Sequence, residues 1–333
     1  MSFFAAAKSA NVLDQASEIR EFFDALDLTT AFRKGENAQI VSAFSSLILA
    51  IPFTKLVKLR QPNLPVERIN PAYAFSACVF FRAFRALTGV SRSANPTWLK
   101  KAVEQEDPSD AVVLSTLHAL CSDMLNDISS YFGPGSVESA SALIGDARRL
   151  PLPSNSVDRV ITSPPYLTRI DYAMSTMPEL LLLGGTDSLT KVRHATMGAP
   201  VITKGDRHQL ETWGPICNDL LSKIKSHHTK AAQAYYWKNI VKYFMDADES
   251  LHEIKRTLKS GGSGIIVVQS SYFKELEIPL GEIYVQMAGG AGLAAEIVFR
   301  QEVRGHLAHV NTRSTKYKAG KVYYEDFVLI RKS

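Results

Sequence analysis

The chain has 333 residues, which is enough for one large domain or two ordinary ones. Its formal net charge of +5, with 21% charged and 46% hydrophobic residues, is typical of a globular protein and too mild to establish a polyanionic partner. Cys78, Cys121 and Cys217 form no CxxC pair, which argues against a disulfide framework and a cysteine-built zinc site and favours a reducing cytoplasm.

The first 135 residues are predicted to form a helical region. The N-terminus has no basic start followed by a sustained apolar segment, so we predict no signal peptide. Apolar residues then recur at helical spacing in segments such as ASEIREFFDALDL and DAVVLSTLHALCSDMLNDISSYF, and the proline-rich RQPNLPVERINP is interpreted as a connection. The longest apolar stretch, FSSLILAIPF, is too short to span a bilayer. We therefore expect a cytoplasmic protein without a membrane partner.

Residues 136–333 have a different rhythm, in which short β-rich runs alternate with helices and glycine turns. Such alternation is typical of an α/β fold with a parallel sheet. A helix is predicted to close at Gly261-Gly262, and the segment from about 186 to 245 has no strand rhythm and is interpreted as a basic, aromatic insertion. The five predicted strands are ASALIG (140–145), VDRVIT (157–162), SGIIVVQ (263–269), AAEIVFRQEV (294–303) and EDFVLIRK (325–332).

The second predicted strand ends in Ser163-Pro164-Pro165-Tyr166. The two prolines fix two φ angles and remove two backbone donors, and a residue before proline is disfavoured in helical geometry. The carboxyl end of a strand in a parallel sheet is also where ligands bind. A rigid turn with carbonyl acceptors, one hydroxyl and one aromatic ring suits a flat molecule that carries an amine. The alternative is a proline turn that only caps the strand.

The segment GDARRLPLPSNSVDRVITSPPYLTRIDYAMSTMPELLLLG resembles the amino-methyltransferases that modify the exocyclic amines of cytosine or adenine in DNA. Their signature at this strand end is Ser/Asn/Asp-Pro-Pro-Tyr/Phe/Trp, and the serine form is more typical of the N4-cytosine branch. The likeness extends over roughly 136–333. It implies a Rossmann-like class I methyltransferase sheet, S-adenosylmethionine as cofactor, and DNA as partner. It also implies in-line transfer to a flipped-out base, without a covalent enzyme intermediate and without a metal.

The resemblance also assigns site residues. Ser163 and the Pro164 carbonyl would position the amine, and Tyr166 would stack on the base beside Pro165. Asp146 would accept a hydrogen bond from the adenine amine of the cofactor, and the amide of Ala147 would donate to the adenine ring. A turn-capping role is the alternative for Asp146. For Asp171 and Tyr172, a helix start and a wall of the site both stay open.

Basic segments supply the candidate DNA contacts. Lysine and arginine can bind phosphates while aromatic rings lie near bases, a combination found in KIKSHHTKAAQAYYWKNIVKYF at 223–244. The alternative there is an amphipathic helix whose aromatic residues enter the core. Two further basic segments occupy 193–208 and 304–321. The predicted DNA-binding residues are Arg169, Lys204, Arg207, Arg313 and Lys316.

The glycine-rich cofactor loop of this family, close to Asp-Pro-Phe-x-Gly-x-Gly-Thr after the first strand, has no match in the sequence. YFGPGSVES has no strand before it, and the glycines of QMAGGAGLAAE end a helix. We therefore expect a sheet that lacks its first two strands in this chain, with an unpaired edge. Three explanations stay open: a second chain that supplies the loop, a truncated inactive product, or a diverged loop in the helical half. Adenine or RNA as substrate, and an inactive DNA-binding or regulatory subunit, are the functional alternatives.

Overall fold

The computed structural model describes residues 10–26, 28, 39–61, 64–89, 91–92, 99–100, 108–132, 142–167, 171–199, 208–229, 231–303 and 321–333. These residues form two compact units. The first takes the described residues up to Arg92, those of Leu99–Ile144, and Thr176–Thr190. The second takes those of Gly145–Ser175 and Lys191–Ser333.

The described α-helices are α1 Ala16–Asp24, α2 Gln39–Leu49, α3 Pro71–Thr88, α4 Asp110–Tyr131, α5 Tyr172–Ser175, α6 Met177–Ala195, α7 Pro215–Ser226, α8 Lys238–Thr257 and α9 Leu280–Gly290. Two 3₁₀ turns occupy Ala10–Gln15 and Glu211–Trp213, and a π-helical segment, Ala232–Trp237, leads into α8. The strands are β1 Leu56–Gln61, β2 Leu64–Ile69, β3 Ser91–Arg92, β4 Leu99–Lys100, β5 Val157–Thr162, β6 Leu258–Gln269, β7 Ser271–Phe273, β8 Leu276–Ile278, β9 Ala294–Glu302 and β10 Tyr324–Arg331.

The first unit is built around α3. Asn70 caps this helix by accepting hydrogen bonds from the backbone N–H groups of Ala72 and Tyr73, with Pro71 at the first helical position. Its buried phenylalanines pack edge to face with rings of α1 and α2. The segment interpreted as a connection is instead part of an antiparallel hairpin of β1 and β2.

The second unit contains a four-stranded mixed sheet in the order β5-β6-β10-β9. β5 and β6 are parallel, and β10 runs antiparallel between β6 and β9. The last four predicted strands are confirmed, and β5 has the predicted bounds. Because β10 is inserted antiparallel, the sheet is not parallel throughout. The mixed α/β arrangement is compatible with a methyltransferase fold.

Two local predictions were wrong. Of the run predicted as a strand at 140–145, residues 140–141 lie outside the described residues, and 142–145 form no extended strand, with a single bridge residue at Leu143. A turn closed by the isolated bridge between Asp146 and Arg149 follows directly. A Cβ at Gly145 would lie 2.5 Å from Pro151 Cδ, so this turn folds closely onto itself. The helix expected to close at Gly261-Gly262 ends instead at Thr257, and both glycines lie in β6. Gly261 has a φ of 76° there, which favours glycine.

The two faces of the sheet differ in burial. One face is buried in the core that α8 and α9 share, with Ile266, Val268, Val328 and Ile330 at 1% exposure or less. On the other face, Ile161 of β5 is 85% exposed and Phe299 of β9 is 55% exposed. Within the described residues, β5 has a hydrogen-bonded neighbour, β6, on one side only. β5 is therefore an edge strand with a large exposed apolar side chain.

Candidate functional site

The Ser-Pro-Pro-Tyr turn directly follows β5 at the carboxyl end of the parallel pair β5–β6. Ser163 is exposed, whereas Pro164, Pro165 and Tyr166 are half-buried. The next residue, Leu167, is 2% exposed and belongs to the core of the second unit. The turn is therefore held in the core at its far end and presents Ser163 to solvent.

Tyr243 on α8 holds the turn through a hydrogen bond. Its hydroxyl donates a hydrogen bond to the Pro165 carbonyl oxygen at 3.0 Å and lies 3.3 Å from the hydroxyl of Tyr284. The Tyr243 side chain is 1% exposed. Burial raises the pKa of Tyr243 well above its ordinary value, so the hydroxyl remains a protonated donor. One carbonyl of the turn thus has a fixed orientation.

Tyr166 is held by contacts on both sides. Its backbone N–H donates to the Tyr172 hydroxyl at 3.4 Å. Gly198 packs against the turn with a φ of 75°, and a Cβ there would lie 3.4 Å from the Tyr166 carbonyl oxygen. Burial, followed by the nearby Glu325 carboxylate, raises the pKa of Tyr166. The ring is therefore neutral near pH 7 and suited to stacking.

Asp146 lies in the turn after Gly145, and Ala147 next to it is exposed. Arg148 binds the Asp146 carboxylate through Nη2 to Oδ2 at 2.7 Å and Nε to Oδ1 at 3.0 Å, and its backbone N–H also donates to Oδ1 at 2.9 Å. Hydrogen bonding to Arg148 lowers the pKa of Asp146, so the carboxylate is ionised. Its side chain remains 49% exposed, which leaves acceptor capacity toward solvent.

Arg148 is itself held by α8. Its Nη1 donates to Asp246 Oδ1 at 2.9 Å, and its Nη2 donates to the Ala195 carbonyl at 3.2 Å. The Asp246 carboxylate also binds Lys242 Nζ at 2.5 Å. Asp146, Arg148, Asp246 and Lys242 therefore form a chain of four alternating charges that leads from exposed Asp146 to buried Asp246 on α8. Sequence reasoning missed Arg148 and Asp246, and it counted Tyr243 among the aromatic residues of 223–244 without its contact to the turn, because no local pattern marks their partners.

Asp171 lies at the start of α5, which agrees with the interpretation of Asp171 and Tyr172 as a helix start. It is 1% exposed and caps α5 by accepting from the Met174 N–H at 3.2 Å. Its other carboxylate oxygen accepts from Arg193 Nε at 2.7 Å. Tyr172, in contrast, reaches the turn through its hydroxyl.

The aromatic residues of the 223–244 segment mostly enter the core. Tyr243 is buried, and Tyr236 and Trp237 pack partly buried against the same core. Lys225 lies over the Trp237 ring at 5.0 Å from its centroid. These three rings therefore pack in the core, as the amphipathic-helix alternative proposed. They do not form an exposed surface for stacking on bases.

The predicted DNA-binding residues Arg169, Lys204, Arg207, Arg313 and Lys316 lie outside the described residues. Within the described part of the chain, no group of three or more His, Cys, Asp or Glu side chains has a metal-binding arrangement. In that same part, no helix is long and apolar enough to cross a membrane.

Part of the chain is similar to the Type II methyltransferase M.BsoBI of Geobacillus stearothermophilus, at 27% identity over 205 residues. The match covers 56% of this chain and 37% of that protein, so the chain spans well under half of its relative. No protein-family model matches the chain, and no solved structure matches it. This distant similarity supports a relationship to the methyltransferases, in agreement with the mixed sheet and the Ser163–Tyr166 turn.

Proposed function

We propose that this chain takes part in S-adenosylmethionine-dependent methylation of an exocyclic amine of a DNA base, with N4 of cytosine as the preferred target. The observation that carries the proposal is the Ser163–Tyr166 turn, which lies at the carboxyl end of β5 with its Pro165 carbonyl held by buried Tyr243. The similarity to a Type II methyltransferase supports the same reaction class.

The residues around Asp146 fit the adenosyl group of the cofactor. An ionised, half-exposed carboxylate with lone pairs facing solvent can accept a hydrogen bond from the adenine amine. The exposed Ala147 backbone can donate to the ring. When bound, S-adenosylmethionine supplies an electrophilic methyl group on its sulfonium. Asp146 and Ala147 would hold the far end of that molecule.

The turn residues would act on the base amine. The Ser163 hydroxyl and the Pro164 carbonyl would accept hydrogen bonds from the NH₂ group, and Tyr166 would stack on the ring. The two prolines contribute no N–H donors, so the turn favours an amine over a carbonyl at this position. Fixed acceptors also stabilise the positive charge that develops on the nitrogen as it takes the methyl group, before it loses a proton.

A second polypeptide would supply the glycine-rich loop that the sequence lacks. The edge strand β5 and the 85% exposed Ile161 support this part of the proposal. A strand added parallel to β5 would end beside Ser163, because the carboxyl ends of parallel strands meet at one edge of a sheet. Its following loop would then lie next to the turn.

DNA backbone contacts are proposed for Arg169, Lys204, Arg207, Arg313 and Lys316, since arginine and lysine neutralise phosphates. Replacing each with alanine should weaken DNA binding and reduce its salt dependence. Filter binding at several salt concentrations measures both quantities.

Incubation of the chain with DNA and methyl-deuterated S-adenosylmethionine tests the proposal, alone and with the product of the neighbouring gene. Chromatographic separation and mass analysis of the digested nucleosides, with N4-methyl- and 5-methyldeoxycytidine as standards because the two have the same mass, should show labelled N4-methyldeoxycytidine. Labelled N6-methyladenine would change the target base, and label in RNA alone would contradict a DNA substrate. Absence of label under both conditions, together with absence of cofactor binding, would favour a regulatory subunit.

A further inference from the structure

Two residues of α8 contact the two predicted halves of the site. Tyr243 binds the acceptor turn through the Pro165 carbonyl, and Asp246 binds Arg148, which in turn binds Asp146. Residues three apart on an α-helix lie on the same face. Both residues are almost fully buried, at 1% and 5% exposure. One rigid helix face therefore supports residues that are far apart in the sequence.

Tyr243 restrains the peptide group between Pro165 and Tyr166. The Pro165 carbonyl accepts a hydrogen bond from the buried Tyr243 hydroxyl, and this bond fixes the direction of the peptide group that leads into Tyr166. Gly198 also packs against the turn, where a Cβ would lie 3.4 Å from the Tyr166 carbonyl oxygen and 3.7 Å from Pro165 Cβ. The orientation of the stacking ring thus depends on a hydroxyl that itself lies outside the turn.

Asp246 restrains the carboxylate of Asp146 through Arg148. The planar guanidinium has five donors in fixed directions, and here it uses three nitrogens on Asp146, Asp246 and the Ala195 carbonyl. Arg148 therefore cannot rotate without breaking a contact to α8. The Asp146 lone pairs that remain are directed away from Arg148.

We propose that α8 is the positioning element of the site, with Tyr243 orienting the acceptor turn for the base and Asp246 orienting Asp146 for the cofactor through Arg148. This inference rests on the proposed function. It assigns separate roles to two residues on one helix: loss of Tyr243's hydroxyl affects the methyl-transfer step, and loss of Asp246's charge affects cofactor binding.

Two shape-preserving variants separate these roles. Tyr243→Phe should lower turnover at saturating substrates by about tenfold or more, with the S-adenosylmethionine dissociation constant unchanged within about twofold, since outer residues that orient a site typically contribute this much. Asp246→Asn should raise that dissociation constant by about tenfold, with a smaller change in turnover. Calorimetry gives the dissociation constant, and steady-state methylation gives turnover.

Tyr272→Phe is the matched control. Its hydroxyl also donates to a backbone carbonyl, that of Val322 at 2.9 Å, which belongs neither to the turn nor to the Asp146–Arg148–Asp246 chain. It should leave both parameters near the wild-type values. The inference is wrong if Tyr243→Phe behaves like Tyr272→Phe, or if Tyr243→Phe and Asp246→Asn change the same parameter.

A spectroscopic measurement keeps this test independent of the reaction. In chain labelled with ¹³C at the proline carbonyls, Tyr243→Phe should move the Pro165 carbonyl resonance and the Tyr166 ring resonances, whereas Tyr272→Phe should move neither. Unmoved resonances would overturn the positioning role of Tyr243. If they move while the wild-type protein transfers no methyl group, the proposed function fails and the positioning role of Tyr243 stands.

Discussion

The two halves of the proposed site are held by different forces. The Ser163–Tyr166 turn is stiffened by its own prolines and by the neutral, buried hydroxyl of Tyr243. Asp146 is held instead by a chain of ion pairs through Arg148 and Asp246, and it is half exposed. A neutral support should be insensitive to salt and mild acid, whereas a charged support responds to both. The comparison predicts that base positioning and cofactor binding can be perturbed separately.

The largest expected effect is on the acceptor turn. Tyr166→Ala should lower methylation by about 100-fold or more, because base stacking contributes about 1–3 kcal/mol and orientation adds to it. Because the Tyr166 ring is only half-buried, its loss should lower the free energy of unfolding by only about 1 kcal/mol. Methylation rates and urea unfolding measure the two quantities. Equal loss of activity and stability would contradict a role in the site.

A comparable change on the charged side is Arg148→Gln. Asp246, with a side chain 7% exposed, would keep Lys242 but lose its guanidinium partner. The expected cost is about 1–3 kcal/mol in the free energy of unfolding, together with weaker binding of S-adenosylmethionine. Chemical denaturation and calorimetry check these outcomes. Unchanged cofactor affinity would show that Arg148 has only a structural role.

The stabilising contacts of the two halves of the site should also be lost at opposite ends of the pH range. Arg148 lowers the pKa of Asp146 in the folded state, so its stabilising contribution is present above the unfolded pKa, about 3.9, and is lost as the pH falls through the folded pKa. Burial raises the pKa of Tyr243, so its contribution is complete below about pH 10 and is lost as the pH rises through the folded value. Unfolding measured across pH in Arg148→Gln should show a weaker acid dependence with the alkaline dependence retained.

The smallest effect on the isolated chain is expected at the sheet edge. Ile161→Lys should change the free energy of unfolding by about 0.5 kcal/mol or less, because the side chain is 85% exposed. It should nevertheless impair activity that requires the proposed second polypeptide. Val298→Lys, on β9 at the opposite edge and 49% exposed, is the matched control. Equal activity of the two variants with the neighbouring gene product would argue against docking at β5.

The sequence predicted those features that depend on local chemistry. Short β-rich runs between helices and glycine turns predicted the four strands of the sheet, and the two prolines predicted the turn at the end of β5. The supports of the site depend on contacts that no local pattern reveals. Arg148 and Asp246 are 98 residues apart, and Pro165 and Tyr243 are 78 apart. The run at 140–145 also looked like a strand, but its described residues 142–145 contain only a single bridge residue before the turn at Asp146.

The most direct test identifies, by chromatography against N4-methyl- and 5-methyldeoxycytidine standards and by mass, the labelled nucleosides in DNA incubated with methyl-deuterated S-adenosylmethionine, the chain and the neighbouring gene product. We expect labelled N4-methyldeoxycytidine with the wild-type chain and its near-complete loss with Tyr166→Ala. Labelled DNA that persists undiminished with Tyr166→Ala would contradict the assignment of the Ser163–Tyr166 turn as the site of methyl transfer.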